Sequence, residues 1–498
     1  MKRFWIMLTI MSLLIMPMPA GATPTEFAGG VNNEYEYQEI VFLTGEPLKF
    51  TGTVDVKETE KADSKTISYK FNLTSEDKAL KGKLTRTVKY VINYSKRDDK
   101  GQTIAQMEVD SRPSETLTIG RDKYVLKDYQ FSKSDVVDNR PASDYYNGTI
   151  TGRKYYTINN TEGTVVVDIS GGDVGYENFW GSTETQMIDR VIDYEREITD
   201  DEGNPQRITW QGTVRTQTSD STTKTLQYAD NEASYSSFSG GNMRITNRMM
   251  VSRYDYDMPE ITDGVADNDS RNRDTIKLTS NMVPQVERLI IPKFKDTGGS
   301  WAQEDIEKLY SLDVFEGNSQ FFLPNAPMTR LDFTLAVVKA TNIRPAATEV
   351  KTTRSRKKVV EVSPFTDMPI TDPNYADIKE ALMKGIISGI APNRFGPEKS
   401  LTRSQAITIL IRALGFENKA PTPGYATAFT DDHQIPVWAR DSIYVAREIG
   451  LVKGDNFNRV NPNQVMTRAE ASALLVRFLN FLEVDLAKDY RDNIILYN

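Results

Sequence analysis

The sequence predicts a multidomain chain that is mainly antiparallel β-sheet in its first half and all-helical in its second half. In residues 23–254, apolar side chains alternate with polar ones, which is the period of a strand with one buried face. After about residue 290, apolar residues recur at helical spacing, and a pattern ending in Thr-Arg occurs three times. The length of 498 residues also exceeds that of an ordinary single domain.

Residues 1–22 have the composition of a secretory signal peptide. Lys2 and Arg3 precede an apolar run over residues 4–16, and residues 20–22 read Ala-Gly-Ala, a small-residue cleavage pattern. The apolar run is shorter than the roughly 20 residues that a membrane-spanning helix needs. We therefore expect a secreted chain with no transmembrane segment in its mature part.

The composition excludes several classes of function. The chain has no cysteine and a single histidine, His433, which argues against disulfides, thiolate metal sites, catalytic triads and multi-histidine zinc sites. Its 61 Lys and Arg stand against 69 Asp and Glu, and this net charge of -8 argues against a nucleic-acid binder. These properties suit a protein of a bacterial envelope.

The β-rich region shows strand and hairpin signals in turn. Alternating apolar residues predict strands over 67–73 and 88–94, and "GTVVVDIS" at 163–170 predicts another. The polar clusters "RDDKG" at 97–101 and "DDEGNP" at 200–205 predict hairpin loops. This half should therefore form an antiparallel sheet.

Two segments of this half resemble each other. "YVINY" at 90–94 and "RVIDY" at 190–194 are each followed by an acidic turn, at an offset of about 100 residues. One interpretation is a pair of duplicated β modules, at about 35–130 and 131–240, each of ordinary domain size. The other is chance similarity between hairpins, and the sequence leaves both open.

Residues 255–290 are polar and rich in turn formers at their start, which predicts a linker. Asp263, Asp267 and Asp269 could contact a structural calcium ion, but their spacing does not match the EF-hand loop. A solvated linker is the simpler interpretation, and no cofactor is predicted.

The helical region divides into three copies at 291–343, 362–416 and 426–485, with a linker over 344–361 and a C-terminal tail over 486–498. Each copy has Phe-x-Asp, a short amphipathic helix, a glycine, and a proline followed five residues later by Thr-Arg. A helix–loop–helix of this size cannot bury its own apolar faces. The three copies are therefore expected to share one core.

The threonine of each copy is predicted to be a helix N-cap. Gln405 and Glu470, three residues after Thr402 and Thr467, would complete capping boxes, and Asp332 after Thr329 is a shorter stand-in. The next residue is arginine each time, at Arg330, Arg403 and Arg468. The helix dipole disfavours a cation at this position, so the arginines call for a reason beyond helix formation.

These repeats resemble the S-layer homology repeat over roughly residues 290–485. The resemblance rests on Phe-x-Asp, on Trp-Ala at Trp301 and Trp438, and on "TRAE" at 467–470. It implies a helical prism with pseudo-threefold symmetry and grooves between repeats. It also implies non-covalent binding to an anionic secondary cell-wall polysaccharide, commonly a pyruvylated one.

The resemblance further implies which residues bind the polymer. The Thr-Arg arginines come first, in the order Arg468, Arg403 and Arg330, and free helix N–H groups would complete an anion site beside each of them. Secondary candidates are Asp296, Asp367, Asp431, Gly317, Gly389, Gly454, Trp301 and Trp438. Local alternatives are an arginine paired with a neighbouring repeat's carboxylate, aspartates that form turns, glycines needed by the backbone, and tryptophans in the core.

The copies depart unequally from the family's pattern. The third has the full "TRAE", the second has "TRSQ" with Pro373 in the tryptophan place, and the first has "TRLD". Asp313 of the first copy stands where the others have Gly385 and Gly450. One or two of the three grooves are therefore expected to bind weakly.

Three roles remain open for the β-rich half. It could be a structural domain displayed at the surface or in an S-layer lattice. It could bind carbohydrate or mediate adhesion through exposed aromatic residues. It could hydrolyse glycosides with a carboxylate pair, although no spacing singles out such a pair and no catalytic motif is present. We therefore expect a non-enzymatic protein, secreted and held at the cell wall.

Overall fold

The computed structural model of the chain describes most residues from 27 to 492. The described ranges are 27–110, 112–199, 205–229, 240–262, 265–315, 319–343, 361–422 and 424–492. The predicted signal peptide, Gly317, Asp263 and nearly all of the predicted linker at 344–361 lie outside these ranges.

Fifteen strands in the described part of the chain form one antiparallel sheet. They are β1 Val31–Asn32, β2 Tyr37–Val41, β3 Leu48–Lys61, β4 Ser64–Ser75, β5 Lys83–Arg97, β6 Gln102–Val109, β7 Ser114–Ile119, β8 Asp122–Asn139, β9 Ser143–Ile158, β10 Gly163–Asn178, β11 Gly181–Thr199, β12 Pro205–Ala229, β13 Gly241–Thr262, β14 Val265–Asn281 and β15 Gln285–Arg288.

Neighbouring strands are also neighbours in sequence, except that β5 pairs with β7, β6 pairs with β8, and β13 pairs with β15. The predicted hairpin at 97–101 is confirmed, because Arg97 pairs with Gln102 across it. The predicted strand over 67–73 lies in β4, and its four apolar side chains are buried. The prediction of an antiparallel sheet in this half is confirmed.

The sheet curls so that β1 lies beside β14. The segment before β1 crosses the enclosed space, where the Phe27 ring lies 5.5 Å from that of Tyr90 and 4.4 Å from that of Phe131. The Tyr254 hydroxyl donates to the Gly29 carbonyl at 2.5 Å. The first residues of the described chain thus fill the interior of the sheet that follows them.

Two boundary predictions for this half are wrong. The division between modules at residues 130 and 131 falls inside β8, so the two halves are not separate structural units. The predicted linker at 255–290 contains the end of β13 and all of β14 and β15. The linker was predicted from polar, turn-forming residues, but β14 lies at the end of the strand order, and edge strands commonly carry polar and charged side chains that block unwanted pairing.

Each repeat contributes two α-helices, as the repeat pattern predicts. They are α1 Gln303–Ser311, α2 Arg330–Ala340, α3 Tyr375–Met383, α4 Arg403–Leu414, α5 Arg440–Glu448 and α6 Arg468–Asn480. Single 3₁₀ turns occur at Lys78–Leu80, Glu417–Lys419, Asp432–Gln434 and Val437–Ala439, and π-helical turns at Phe481–Asp485 and Lys488–Asp492. The predicted C-terminal tail is thus helical to residue 492, with Leu486 and Ala487 buried.

The repeats contact one another in a cyclic order. The first helix of each packs on the second helix of another, α1 on α6, α3 on α2 and α5 on α4. The residues before the cap threonines form a ring, in which Met328 N–H donates to Met466, Met466 to Leu401, and Leu401 back to Met328, at 2.8–2.9 Å. Each repeat therefore completes the packing of the other two.

The sheet packs against the opposite ends of the second helices. Trp180, fully buried, donates its indole N–H to the carbonyl of Ala340 at the end of α2, at 2.8 Å. Ala142 N–H donates to Ala413 near the end of α4, at 2.9 Å. These contacts belong to one apolar core that runs through all three repeats.

No α-helix in the described ranges has both the length and the apolar character needed to cross a membrane.

Candidate functional site

The cap threonines act as predicted. The side chains of Thr402 and Thr467 each accept a hydrogen bond from the backbone N–H three residues on. The side chains of Gln405 and Glu470 accept one from the backbone N–H of their threonine, which completes two capping boxes. Thr329 accepts an N–H in the same way at the start of α2. The three arginines therefore stand at equivalent first-turn positions.

The expectation of free N–H groups beside the arginines is wrong. The backbone N–H of each arginine donates at 2.9 Å to a carbonyl of the neighbouring repeat, in the pairs Arg330 to Lys399, Arg403 to Gln464 and Arg468 to Ala326. The N–H of the following residue donates to a proline carbonyl of that repeat. The backbone N–H groups at the helix starts are used for contacts between repeats, so they are not available to bind an anion there.

Arg403 lies in an open groove between the second and third repeats. The groove has a volume of about 620 Å³. Its charged lining comprises four cations, Arg403, Lys453, Arg459 and Arg477, against the two carboxylates of Asp455 and Glu470. The groove is thus net positive although the whole chain is negative.

The Arg403 guanidinium is half-buried and makes no hydrogen bond or ion pair with any residue in the described ranges. Burial lowers its pKa, an effect that Glu470 opposes and Arg477 reinforces. A guanidinium stays charged under ordinary conditions because its usual pKa is so high. Arg403 therefore presents a charged fork whose donors are available to a ligand.

Arg468 is paired within the protein. Its Nε donates to the Phe322 carbonyl at 2.9 Å, and Nη1 lies 3.1 Å from the Asp332 carboxylate of the first repeat. Its guanidinium also lies over the Phe322 ring, 4.6 Å from the centroid. The alternative of an arginine paired with a neighbouring repeat's carboxylate is therefore confirmed at this position.

Arg330 is the most enclosed of the three, with 5% of its surface exposed. Nη2 donates to the Ser388 carbonyl at 2.6 Å, and the guanidinium lies 5.3 Å from the centre of the Phe395 ring. Burial, with a smaller contribution from Arg412, lowers the pKa of Arg330 to about 10. Its Nε is buried with no partner among the described residues.

The three arginines differ in the residue that they face at one position of the neighbouring repeat. Two residues before the loop proline, the first repeat has Phe322, the second Phe395 and the third Val460. The two phenylalanines each lie under an arginine, whereas Val460 lines the groove of Arg403. An aromatic ring face attracts a guanidinium and a valine side chain does not. Val460 therefore offers Arg403 no cation–π contact of the kind that holds Arg330 and Arg468.

The Phe-x-Asp aspartates hold the loops that lead to the caps. Each carboxylate accepts two successive backbone N–H groups at 2.7–2.9 Å, namely Asp296 from Phe322 and Leu323, Asp367 from Phe395 and Gly396, and Asp431 from Val460 and Asn461. Burial acts to raise the pKa of Asp367, but these N–H bonds outweigh it and lower the pKa. The structure therefore gives the aspartates a turn-forming role.

The remaining candidates divide between surface and backbone. The expectation of core tryptophans is wrong, since Trp301 is 68% and Trp438 51% exposed, and Trp301 lines the groove of Arg403. A Cβ on Gly389 or Gly454 would lie 2.7 Å from backbone atoms of its own loop. Glycine is thus required there by close backbone packing, and Gly454 also lines the groove.

Sequence reasoning missed the basic residues that complete the groove. Arg477 lies on α6 nine residues after Arg468, and Arg412 and Lys339 hold the same place on α4 and α2. This recurring basic position was a signal available in the alignment of the three copies. Arg459 also has a counterpart, Arg394 of the second copy, three residues before the loop proline, whereas Lys453 has no basic counterpart there and needed the structure.

Comparison with known proteins identifies the repeats. Residues 293–334, 364–407 and 428–472 match the S-layer homology domain. An exoglucanase of Acetivibrio thermocellus is 32% identical over 190 residues, which is 37% of this chain and 16% of that protein. An amylopullulanase of Thermoanaerobacterium thermosulfurigenes is 33% identical over 190 residues, 37% of this chain and 9% of that protein.

A surface-layer 125 kDa protein of Lysinibacillus sphaericus is 26% identical over 203 residues, which is 40% of this chain and 16% of that protein. The chain thus spans less than a fifth of the length of these relatives. Their similarity to this chain concerns the repeat region. The second half of this chain therefore carries three tandem S-layer homology domains.

Proposed function

We propose that this protein is secreted and held at the bacterial cell wall by its repeats, which bind an anionic, pyruvylated secondary polysaccharide in the groove of Arg403. The observation that carries the proposal is the Arg403 guanidinium, which has no partner among the described residues and lies in a net positive groove of about 620 Å³. A groove of this volume is within the range of small-molecule and sugar sites.

The chemistry of the groove suits a carboxylate on a sugar ring. A guanidinium binds a carboxylate through two parallel N–H bonds, and partial burial strengthens such bonds. Trp301 offers an exposed ring on which the apolar face of a sugar can lie. Lys453 and Arg477 line the same groove and add positive charge to it.

We infer that the repeats form a prism with pseudo-threefold symmetry in which the three grooves differ in strength. The cyclic helix packing and the ring at Met328, Leu401 and Met466 support the symmetry. The partners of Arg468 and Arg330 support the inequality. The order of binding is then Arg403 first, in place of the order expected from conservation of the "TRAE" pattern.

For the sheet we propose display at the surface, in an S-layer or a related structure, and no catalysis. Among its buried carboxylates, which also include Asp173, Glu184 and Asp220, Glu39 and Glu115 both bind Arg86 at 2.9–3.1 Å. Burial acts to raise the pKa of Glu115, but Arg86 and Lys154 hold it at about 2. The cavity at these residues is only about 70 Å³, too small for a sugar.

The relatives support attachment as the shared role. One is named a surface-layer protein and two are named as polysaccharide-degrading enzymes, yet all match this chain in the repeat region. These relatives have different names and match this chain over less than a fifth of their own length. A repeat region shared by such different proteins is suited to attaching each of them to a common surface.

The test is co-sedimentation of the full chain with cell-wall sacculi of the source bacterium, before and after chemical removal of secondary polymer. We expect binding to intact walls only, and a loss of about tenfold or more in Arg403→Ala, since a charge-assisted bond contributes roughly 1.5–3 kcal/mol. Arg153→Ala, an exposed arginine on the sheet, is the matched control. Equal binding to stripped walls would overturn the proposal in favour of peptidoglycan itself.

A further inference from the structure

A second cavity lies between the sheet and the ends of the helices, away from the arginine grooves. We call it the interface cleft, and its volume is about 490 Å³. Four aromatic residues line it, Tyr145 from β9, Phe416 after α4, and Phe481 and Tyr490 from the π-helical turns. Ligand sites often lie between two structural units in cavities of this size and composition.

The π-helical turns Phe481–Asp485 and Lys488–Asp492 form one wall of the interface cleft. A π-helix has i→i+5 bonds and more residues per turn than an α-helix, so side chains four to five residues apart share a face. Phe481, Asp485 and Tyr490 follow this spacing and all line the cleft. Such turns are rare and occur frequently at functional sites.

The rings form a continuous apolar surface. The Tyr145 ring lies 5.5 Å from Phe416 and 6.5 Å from Tyr490, and the Phe416 ring lies 6.2 Å from Phe481. Phe416 is 7% exposed, and the other three are partly exposed. The surface is therefore held by packing at its base and open at its edge.

The rim is polar and nearly balanced in charge. Arg140 Nε donates to Asp138 at 2.8 Å, so these two charges offset each other. The Lys419 ammonium lies over the Phe416 ring at 4.4 Å. The Asp485 carboxylate has no partner among the described residues, and Asn418 is also exposed at the rim.

These features select among ligand classes. An apolar ligand would cover Asp485, Asn418 and Lys419 without replacing their bonds to water, which is costly. An anion would meet the carboxylates of Asp485 and Asp489. A cation would be repelled by Lys419, which already occupies the ring face that would attract it.

We propose that the interface cleft binds a neutral sugar unit of a glycan. A sugar ring has apolar C–H faces for the aromatic surface and hydroxyl groups that both donate and accept. Its hydroxyls would donate to Asp485 and accept from Lys419 and Asn418. This site differs from the arginine groove in place and in ligand charge, and it stands whether or not the groove binds the wall polymer.

The test is isothermal titration of the full chain with two neutral disaccharides, cellobiose and di-N-acetylchitobiose, and with spermidine as a cation. We expect at least one disaccharide to bind with a Kd of about 1 mM or tighter. Asp485→Ala, an exposed change, and Phe481→Ala should each weaken that binding by about fivefold or more. Arg153→Ala, an exposed change on the sheet that lines neither cavity, should leave it unchanged.

Three results would overturn the proposal. The first is no binding of either disaccharide at several millimolar. The second is disaccharide binding that survives both cleft substitutions, since the sugar would then sit elsewhere. The third is spermidine binding that Asp485→Ala removes while neither sugar binds, which would make the interface cleft a cation site.

Discussion

The two ends of the repeat helices are built for different kinds of contact. At the sheet end, Trp180, Tyr176 and Ala142 are buried in one core with the helices. At the other end, the loops before the helices form a ring of backbone bonds, and beside it lies a groove in which Arg403 has no partner within the described ranges. Apolar burial stabilises the contact at the sheet end, whereas at the other end the Arg403 guanidinium stays accessible to a ligand.

The arginine end shows the same contrast on a smaller scale. Arg468 and Arg330 have aromatic and carbonyl partners and so belong to the structure, while Arg403 faces Val460 and has none among the described residues. Equivalent arginines in equivalent repeats thus differ in their contacts according to one neighbouring side chain, and we propose a binding role only for Arg403.

The largest expected effect is at the sheet end. Trp180→Ala should lower the free energy of unfolding by about 3–5 kcal/mol, because it leaves a cavity and removes the bond to Ala340. Urea unfolding followed by circular dichroism measures this. A loss below about 1 kcal/mol would mean that the sheet and repeats do not share a core. Protein that remains folded should still bind walls.

The pH dependence of the same junction gives the next effect. Burial raises the pKa of Glu483 to about 7, although its bond from Leu226 N–H opposes the shift. The folded chain therefore binds the proton more tightly than the unfolded chain, and stability falls as pH rises from about 4.5 to 7. The loss from this group is at most about 3 kcal/mol.

Glu483→Gln should remove that part of the pH dependence. Denaturant unfolding at pH 5 and pH 8 should show a smaller difference in the variant than in the wild type. An equal difference in both would mean that Glu483 is not the group that titrates.

Substituting Arg468 should destabilise the protein more than substituting Arg403. Arg468→Ala removes a carbonyl bond, an ion pair and a ring contact, so we expect a loss of about 1–2 kcal/mol. Arg403→Ala should cost less than about 0.5 kcal/mol. Thermal and urea unfolding of both variants measures these losses. Equal losses of unfolding free energy would contradict the expected difference between Arg468 and Arg403.

The smallest effect should come from releasing Arg468. Asp332→Asn removes its ion-pair partner at nearly constant shape and should strengthen wall binding about threefold, with little change in stability because the pair is partly exposed. Co-sedimentation measures the gain. The double variant with Arg468→Ala should abolish it, and a gain that persists would have to arise elsewhere.

Local features of the repeats could be predicted from sequence. A cap threonine and the residue three positions on are close in the chain. The capping boxes of Thr402 with Gln405 and of Thr467 with Glu470 could therefore be predicted from the sequence alone. The turn-forming aspartates were also weighed correctly, because a carboxylate near a loop has backbone N–H groups within reach.

Contacts between distant segments could not be predicted in this way. The arginine N–H groups find carbonyls in other repeats, which no single helix reveals. A core position was one interpretation of the tryptophans, yet the following alanine is the buried residue each time, Ala302 and Ala439. The curl of the sheet depends on Phe27 and Gly29 meeting strands far along the chain.

The opposed ends of the helices have a mechanical consequence. On the proposed attachment, a pull on the sheet would enter the repeats at Ala340 and Ala413, at the C-terminal ends of α2 and α4. A polymer held at Arg403 would resist at the start of α4, so the load would run lengthwise along that helix. The hydrogen bonds of a helix lie nearly parallel to its axis, so each turn of α4 would carry the whole load in series. The backbone bonds that join Met328, Leu401 and Met466 would pass part of that load to the other two repeats.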